Sequence, residues 1–326
     1  KFISQEDKDW FAGTIVRVGT EVFGSQYEQV LSEAPNVLFC SFMTDIDYSQ
    51  YEEVDESKIP RIYEEVSSFD ALNSRCLEFM REHNAKPTTK GKKLDLVLFE
   101  DAMNHLVRIS RIIGMPRGNA MLVGVGGSGK QSLTRLASTI LGYQTFQITP
   151  GRSYSTNDFL ADLRELYKRA GVLNKPISFI FTDNEVKEES FLEYVNNMLT
   201  TGEIANLFTR DNYEALMSDM RAIFVKEVRN AVDTDENVWN YFIARVKHNL
   251  HVILCFSPVG EQFRKRNLKF PGLFNGCTID WFTHWPREGL VSVAKSFVKP
   301  LDIATQVSDL KDRLAECFAD IHDCVH

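Results

Sequence analysis

From Leu94 onward the chain alternates short apolar runs with stretches of helical periodicity. Five runs stand out: AMLVGV (120–125), YQTFQI (143–148), ISFIFT (177–182), HVILCF (251–256) and CTIDWF (277–282). Each shows little polar alternation, which suits strands buried on both faces of a sheet. Helical patterns run between them over 130–141, 158–171 and 188–201, with one or more over 212–248. Strand–helix repetition of this kind predicts an α/β fold with a parallel sheet covered by helices. LDLVLFEDAMNHLVRISRII (94–113) reads as a helix stopped by Gly114 and Pro116. The segment from Leu290 to His326 reads as helices only.

The first ninety residues contain no strong strand run. KDWFAGTIVRVGTEVFG (8–24) and RIYEEVSSFDALNSRCLEFMREHN (61–84) place apolar residues at helical spacing. The acidic stretch between them, 41–60, reads as a loop, and AKPTTKGKK (85–93) as a turn or linker. A boundary near residue 93 separates this mainly helical segment from the α/β region beginning at Leu94. The chain opens abruptly at Lys1, as a piece of a longer protein would.

Composition narrows the class. The chain has 326 residues, 44% hydrophobic and 25% charged, the profile of a globular protein with a proper core. Its net charge of −8 argues against nucleic acid as a partner, which favours a basic face. No apolar run approaches the roughly 18–20 residues that span a bilayer, so no membrane partner is expected. The six cysteines follow no paired framework and read as reduced thiols. Cys317, His322, Cys324 and His326 are metal-ligating types close in sequence, but helical spacing does not bring the four to one face. That segment reads as an amphipathic helix.

The most specific signal is Gly124-Val125-Gly126-Gly127-Ser128-Gly129-Lys130, which fits G-x-x-x-x-G-K directly after the first strand and before a helix. Backbone amides of such a loop form a concavity for phosphate oxygens, and the helix adds its positive dipole end. Lys130 is expected to reach the terminal phosphates of ATP or ADP. The next residue, where a hydroxyl normally ligates Mg²⁺, is Gln131, a neutral amide and a weaker ligand for a hard cation. Ser132 follows, turned roughly 100° away on the helix.

The third strand ends in Asp183-Asn184-Glu185. An apolar strand ending in an acid beside a phosphate loop is the arrangement in which the acid, here Asp183, holds Mg²⁺ through water. The next position usually carries a glutamate that polarises water; Asn184 cannot take a proton. Glu185 lies one residue late and serves as base only if the chain turns to aim it; the alternative is a solvated acidic loop. Ser257, after the fourth strand, either positions the attacking water or caps the strand end. Arg264 and Arg266 are either arginines acting in trans on a neighbour's phosphate or solvated charges.

These residues resemble a known family. GNAMLVGVGGSGKQSLTRLAS (118–138), LVLFEDAMNHLVRI (96–109), FTDNEVKEESFLEYVNNMLTTGEIANLF (181–208) and FSPVGEQFRKRNLKFPGLFNGCTIDWF (256–282) are similar to the AAA+ modules of dynein heavy chains. The likeness is to the fourth of six modules, and to axonemal rather than cytoplasmic chains. It covers about 94–290 with specific motifs and the flanks more loosely. The resemblance implies a three-layer α/β/α fold with strand order 5-1-4-3-2, a large subdomain over 94–287 and a small helical lid starting at 288. It implies adenine against Leu96, Val97, Leu98 and Phe99, and neighbouring modules of the same chain as partners. Microtubules would be reached only through a stalk lying beyond this sequence. It further implies a ciliary, axonemal setting in the cytoskeleton, and a chain that is monomeric on its own. With Gln131 and Asn184 at their positions, a module that holds nucleotide longer than it turns it over is expected; an ATPase using Glu185 is the alternative.

Overall fold

The computed structural model describes residues 4–24, 26–27, 38–45, 61–86, 93–229, 232–301 and 309–325. Helix α1 (Gln5–Phe23) starts where the Ser4 hydroxyl accepts the Asp7 amide at 3.2 Å, satisfying a donor the helix cannot. Two short strands come next, β1 (Phe39–Cys40) and β2 (Glu64–Glu65), paired antiparallel. Helix α2 (Phe69–Ala85) is capped by Ser68, whose hydroxyl accepts the Ala71 amide.

The second half of the helix expected over 61–84 is therefore present and the first half is not. Glu64 and Glu65 pair with Cys40 and Phe39, Val66 donates to the Leu38 carbonyl, and Ser68 restarts the chain as a helix. Residues 46–60 of the expected acidic loop, 87–92 of the expected linker, 302–308 and His326 lie outside the described residues.

Helix α3 (Glu100–Ile113) is shorter than expected as well. Residues 94–99 form no helix: the Asn84 side chain bonds both the Leu94 amide (2.8 Å) and its carbonyl (2.7 Å), and Phe99 is extended where the helix begins. Glu100 and Asp101 then open the helix, where negative charge meets the positive dipole end.

The remaining elements are β3 (Ala120–Val123), α4 (Lys130–Leu141), β4 (Gln144–Phe146), α5 (Thr156–Tyr167), β5 (Ile177–Thr182), α6 (Glu189–Thr200), α7 (Arg210–Glu227), α8 (Asp235–Asn249), β6 (Leu250–Phe256), α9 (Glu261–Lys269), α10 (Pro271–Asn275), β7 (Thr278–Trp281), α11 (Arg287–Val298) and α12 (Leu310–Val325). A π turn, Lys168–Val172, ends α5 where a longer α-helix was expected.

All five long-range strands are parallel, in the order β4-β5-β6-β3-β7. Counted from β3, that is the expected 5-1-4-3-2. Strand periodicity sends alternate side chains to two cores. Phe179 and Phe181 join Val252 and Leu254 on one face with Phe159 and Phe191. Ile180 joins Leu122, Ile253 and Leu106 on the other. Both faces are apolar because helices cover both, so truncating a core ring such as Phe179 to Ala costs about 3–5 kcal/mol. Asn119 ties three neighbouring strands together: its Oδ1 accepts the Val252 amide at 2.8 Å and its Nδ2 donates to the Gly276 carbonyl at 3.3 Å. Among the described residues, no helix is long and apolar enough to cross a membrane.

Candidate nucleotide-binding site

The C-terminal ends of β3, β6 and β7 meet at one edge of the sheet, where open α/β sheets carry their ligands. Gly124 donates to the Phe256 carbonyl at 3.0 Å and Phe282 donates to the Val123 carbonyl at 2.8 Å, so the loop leaves β3 clamped between both neighbours. A Cβ at Gly124 would sit 2.6 Å from the Phe282 Cβ. Gly127 and Gly129 have φ of 79° and 85°, the left-handed region that side chains disfavour. Gly129 opens α4, aiming the free amides of its first turn into the loop.

Lys130 is buried. Its ammonium donates to the Gly124 carbonyl (2.7 Å), the Val125 carbonyl (2.6 Å) and the Ser128 hydroxyl (2.8 Å). Burial lowers its pKa from the usual lysine value, opposed by the negative charge of Asp183.

A cavity of about 360 Å³ opens beside the loop, with Gly127, Ser128, Gly129 and Ser132 on one side. Leu96, Val97 and Phe99 form a second wall. Leu98 does not line it; its side chain is buried in the core beneath. The third wall comes from Trp285 and from Phe297 on α11, with the Phe99 and Trp285 rings 5.3 Å apart. His105 also faces the cavity, stacked on Phe282 at 3.9 Å and bonded through Nδ1 to buried Asp280 at 2.6 Å.

The acids at the end of β5 are both engaged. The chain turns there in one 3-10 turn, Asp183–Glu185. Glu185 is 5% exposed. Its Oε2 accepts the Thr182 amide at 2.9 Å and its Oε1 accepts the Gln147 side-chain amide at 2.6 Å. Burial raises its pKa, while the Gln147 and Thr182 hydrogen bonds and the charge of Arg135 oppose the rise. Gln147 also donates to Gln131 Oε1 at 3.2 Å and accepts from Arg135, so Gln131, Gln147 and Glu185 form one chain of hydrogen bonds. Asp183 accepts the Ser257 amide on Oδ2 at 2.6 Å and pairs with Arg266 through Oδ1. The Ser257 hydroxyl accepts the Val259 amide at 3.4 Å, closing the turn after β6. Arg264 stands exposed on α9, and Cys317, His322 and Cys324 are exposed on α12.

The family model described as P-loop containing dynein motor region D4 matches residues 94–326. The chain belongs to this dynein motor family. Its relatives include dynein axonemal heavy chain 5 of Rattus norvegicus, 46% identical over all of this chain and 9% of that protein. Dynein axonemal heavy chain 8 of Homo sapiens is 46% identical over all of this chain and 7% of that protein. The flagellar outer-arm dynein beta chain of Chlamydomonas reinhardtii is 46% identical over 81% of this chain and 6% of its own length. The chain thus spans under a tenth of the length of these relatives.

Membership in the dynein motor family implies nucleotide binding, generally with Mg²⁺. The D4 region fits the nucleotide: a left-handed glycine turn, a helix N-terminus, a buried cation and an apolar-walled cavity adjoin. It does not fit Mg²⁺ as its side chains are arranged. Asp183 already accepts from a guanidinium and an amide, and Gln131 is a neutral amide already accepting from Gln147. Sequence reasoning missed Gln147, Trp285, Phe297 and the His105–Asp280 pair. None sits in a local motif; each reaches the site through tertiary packing.

Proposed function

We propose that this chain is a nucleotide-holding, regulatory module of a dynein motor ring, binding ATP or ADP and hydrolysing it slowly on its own. The observation that carries this is the engagement of both acids at the end of β5. A general base needs an oxygen lone pair directed at water. Glu185 instead accepts the Thr182 amide and the Gln147 side chain, and Asp183 accepts from Ser257 and Arg266. Asn184 between them cannot take a proton.

In this account the base lies against Leu96, Val97 and Phe99, and the phosphates lie on the amides of 124–129 and the first turn of α4, beside Gln131 and Ser132. Lys130 gives its three loop contacts over to phosphate oxygens. Residues 94–287 act as the large subdomain, 288–326 as the start of a lid that supplies Phe297, and 1–93 as a flank. Neighbouring modules of a longer heavy chain are the partners, microtubules are reached elsewhere in that chain, and the setting is the axoneme named for the relatives. Alone, the chain is a monomer.

One observation favours a working ATPase instead. Glu185 is joined through Gln147 to Gln131 at the start of the phosphate-loop helix, so freeing Gln147 releases a carboxylate inside the site. Turnover that disappears in Glu185→Gln selects that alternative.

Binding itself is tested by melting. ADP at a hundredfold excess over Kd stabilises the folded chain by about 2.7 kcal/mol. Lys130→Ala is expected to lose that gain, and an undiminished shift in the variant contradicts the assignment of the loop.

A further inference from the structure

Arg266 lies on α9, 83 residues from Asp183, yet its guanidinium is paired with that carboxylate. The arginine is not a loose surface charge: its side chain is 13% exposed. Its guanidinium carbon lies 5.3 Å from the centroid of the Phe256 ring, the last residue of β6. The same strand end supplies the Ser257 amide to the other oxygen of Asp183. Asp183 is therefore held in a fixed cradle, one oxygen on a permanent cation and the other on a backbone donor.

We propose that Arg266 is the built-in counter-cation of this site: it takes the place of a divalent metal at Asp183, so that nucleoside di- or triphosphate binds without requiring Mg²⁺. The inference rests on the nucleotide-binding assignment above and adds what cation the site uses.

Charge gives the first argument. A bare carboxylate beside a polyphosphate repels it, and some cation must stand between the two. A guanidinium does so at every accessible pH, because it does not deprotonate in proteins. Its planar fork pairs with a carboxylate through strong, directed hydrogen bonds. Coordination gives the second. Mg²⁺ demands near-octahedral oxygen ligands at about 2.0–2.1 Å and sheds water reluctantly. To hold Mg²⁺ through its water, Asp183 would have to give up a guanidinium that is largely buried and lies over the Phe256 ring. Gln131 gives the third, since it carries no charge to draw the metal in and its oxygen already accepts from Gln147. An arginine committed to its own chain's acid also does not reach a neighbour without surrendering that pair, which leaves exposed Arg264 for any contact across modules.

The test measures ADP binding to the full 326-residue chain by titration calorimetry, in EDTA and in Mg²⁺. For the unsubstituted chain, affinity is expected to change less than about threefold between the two buffers, because Arg266 neutralises Asp183 in both. Arg266→Gln is expected to lose about tenfold or more in EDTA and to regain most of it in Mg²⁺, while Arg266→Lys keeps most of the EDTA affinity. As a second readout, Mn²⁺ added to the ADP-loaded chain gives the spin-resonance spectrum of Mn²⁺–ADP without a protein carboxylate ligand, and gains that ligand in Arg266→Gln. Loss of about tenfold or more on removing Mg²⁺ from the unsubstituted chain overturns the proposal and leaves nucleotide binding standing. Equal binding of Arg266→Gln in both buffers overturns it too. No binding of ADP in either buffer removes the nucleotide assignment and this inference together. Where Arg266→Gln fails to fold, Arg266→Lys and the Mg²⁺ dependence of the unsubstituted chain still test the proposal.

Discussion

Gln147 holds Glu185: the side-chain amide of one stands 2.6 Å from a carboxylate oxygen of the other, under the end of β5. That bond fixes a buried acid whose ionised form is disfavoured by desolvation. A carboxyl whose pKa is raised on folding stabilises the folded state below its ordinary pKa, and that contribution is lost as pH rises through the raised value. Glu185→Gln removes the desolvation penalty and keeps an oxygen for the Thr182 amide, while giving up the bond from Gln147, a smaller loss than a buried charge. Urea melts are therefore expected to show Glu185→Gln more stable than the unsubstituted chain at pH 7–8, with the difference fading below about pH 4.

His251 sets the acid limb in the opposite sense. Its Nδ1 donates to the Gly118 carbonyl at 2.8 Å, its ring stacks on Tyr143, and burial lowers its pKa to about 4. A histidine held neutral by the fold binds its proton in the unfolded chain first, so stability falls as pH drops from about 6.5 towards 4. This one group accounts for up to about 3 kcal/mol of that loss. Chemical melts of His251→Phe, which keeps a ring for Tyr143, are expected to show a flatter profile across the same range.

The glycines of the phosphate loop differ in what they require. Gly129 is left-handed, with φ of 85°, so Gly129→Ala is expected to cost about 1–2 kcal/mol and to weaken ADP binding. A Cβ at Gly126 meets nothing within 4 Å, and Gly126→Ala is expected to stay within about 0.5 kcal/mol. Equal losses at both positions would contradict the loop geometry.

Asn119 offers a test of the sheet itself. Asn119→Ala leaves the Val252 amide and the Gly276 carbonyl without their partner, an expected loss of about 1–3 kcal/mol. Guanidinium unfolding reads it directly, and a loss too small to detect would mean that water replaces the side chain.

The sheet and the phosphate loop were legible in the sequence because both are local. ISFIFT and HVILCF mark strands by their own composition, and the glycine spacing with Lys130 needs no knowledge of the rest. The β1–β2 pair was not legible, since two residues carry no period and Glu64 and Glu65 have poor strand propensity. Residues 94–99 have apolar spacing that also suits a helix, but the Asn84 side chain takes the Leu94 amide and carbonyl and the helix begins only at Glu100. Leu98 followed its neighbours in sequence but faces the core. Arg266 read as either an arginine acting in trans or a solvated charge, because its partner, Asp183, lies on another strand end. Gln147 carried no signal at all, being one neutral amide after a strand.

The most direct test of the central claim is turnover of ATP with Mg²⁺ by the purified chain, with the bound nucleotide extracted and identified. Retained ATP or ADP with turnover below about one per minute, far under the usual enzyme range, is the predicted result. Steady turnover that is lost in Glu185→Gln and kept in Asn184→Ala would contradict it and make Glu185 a working base.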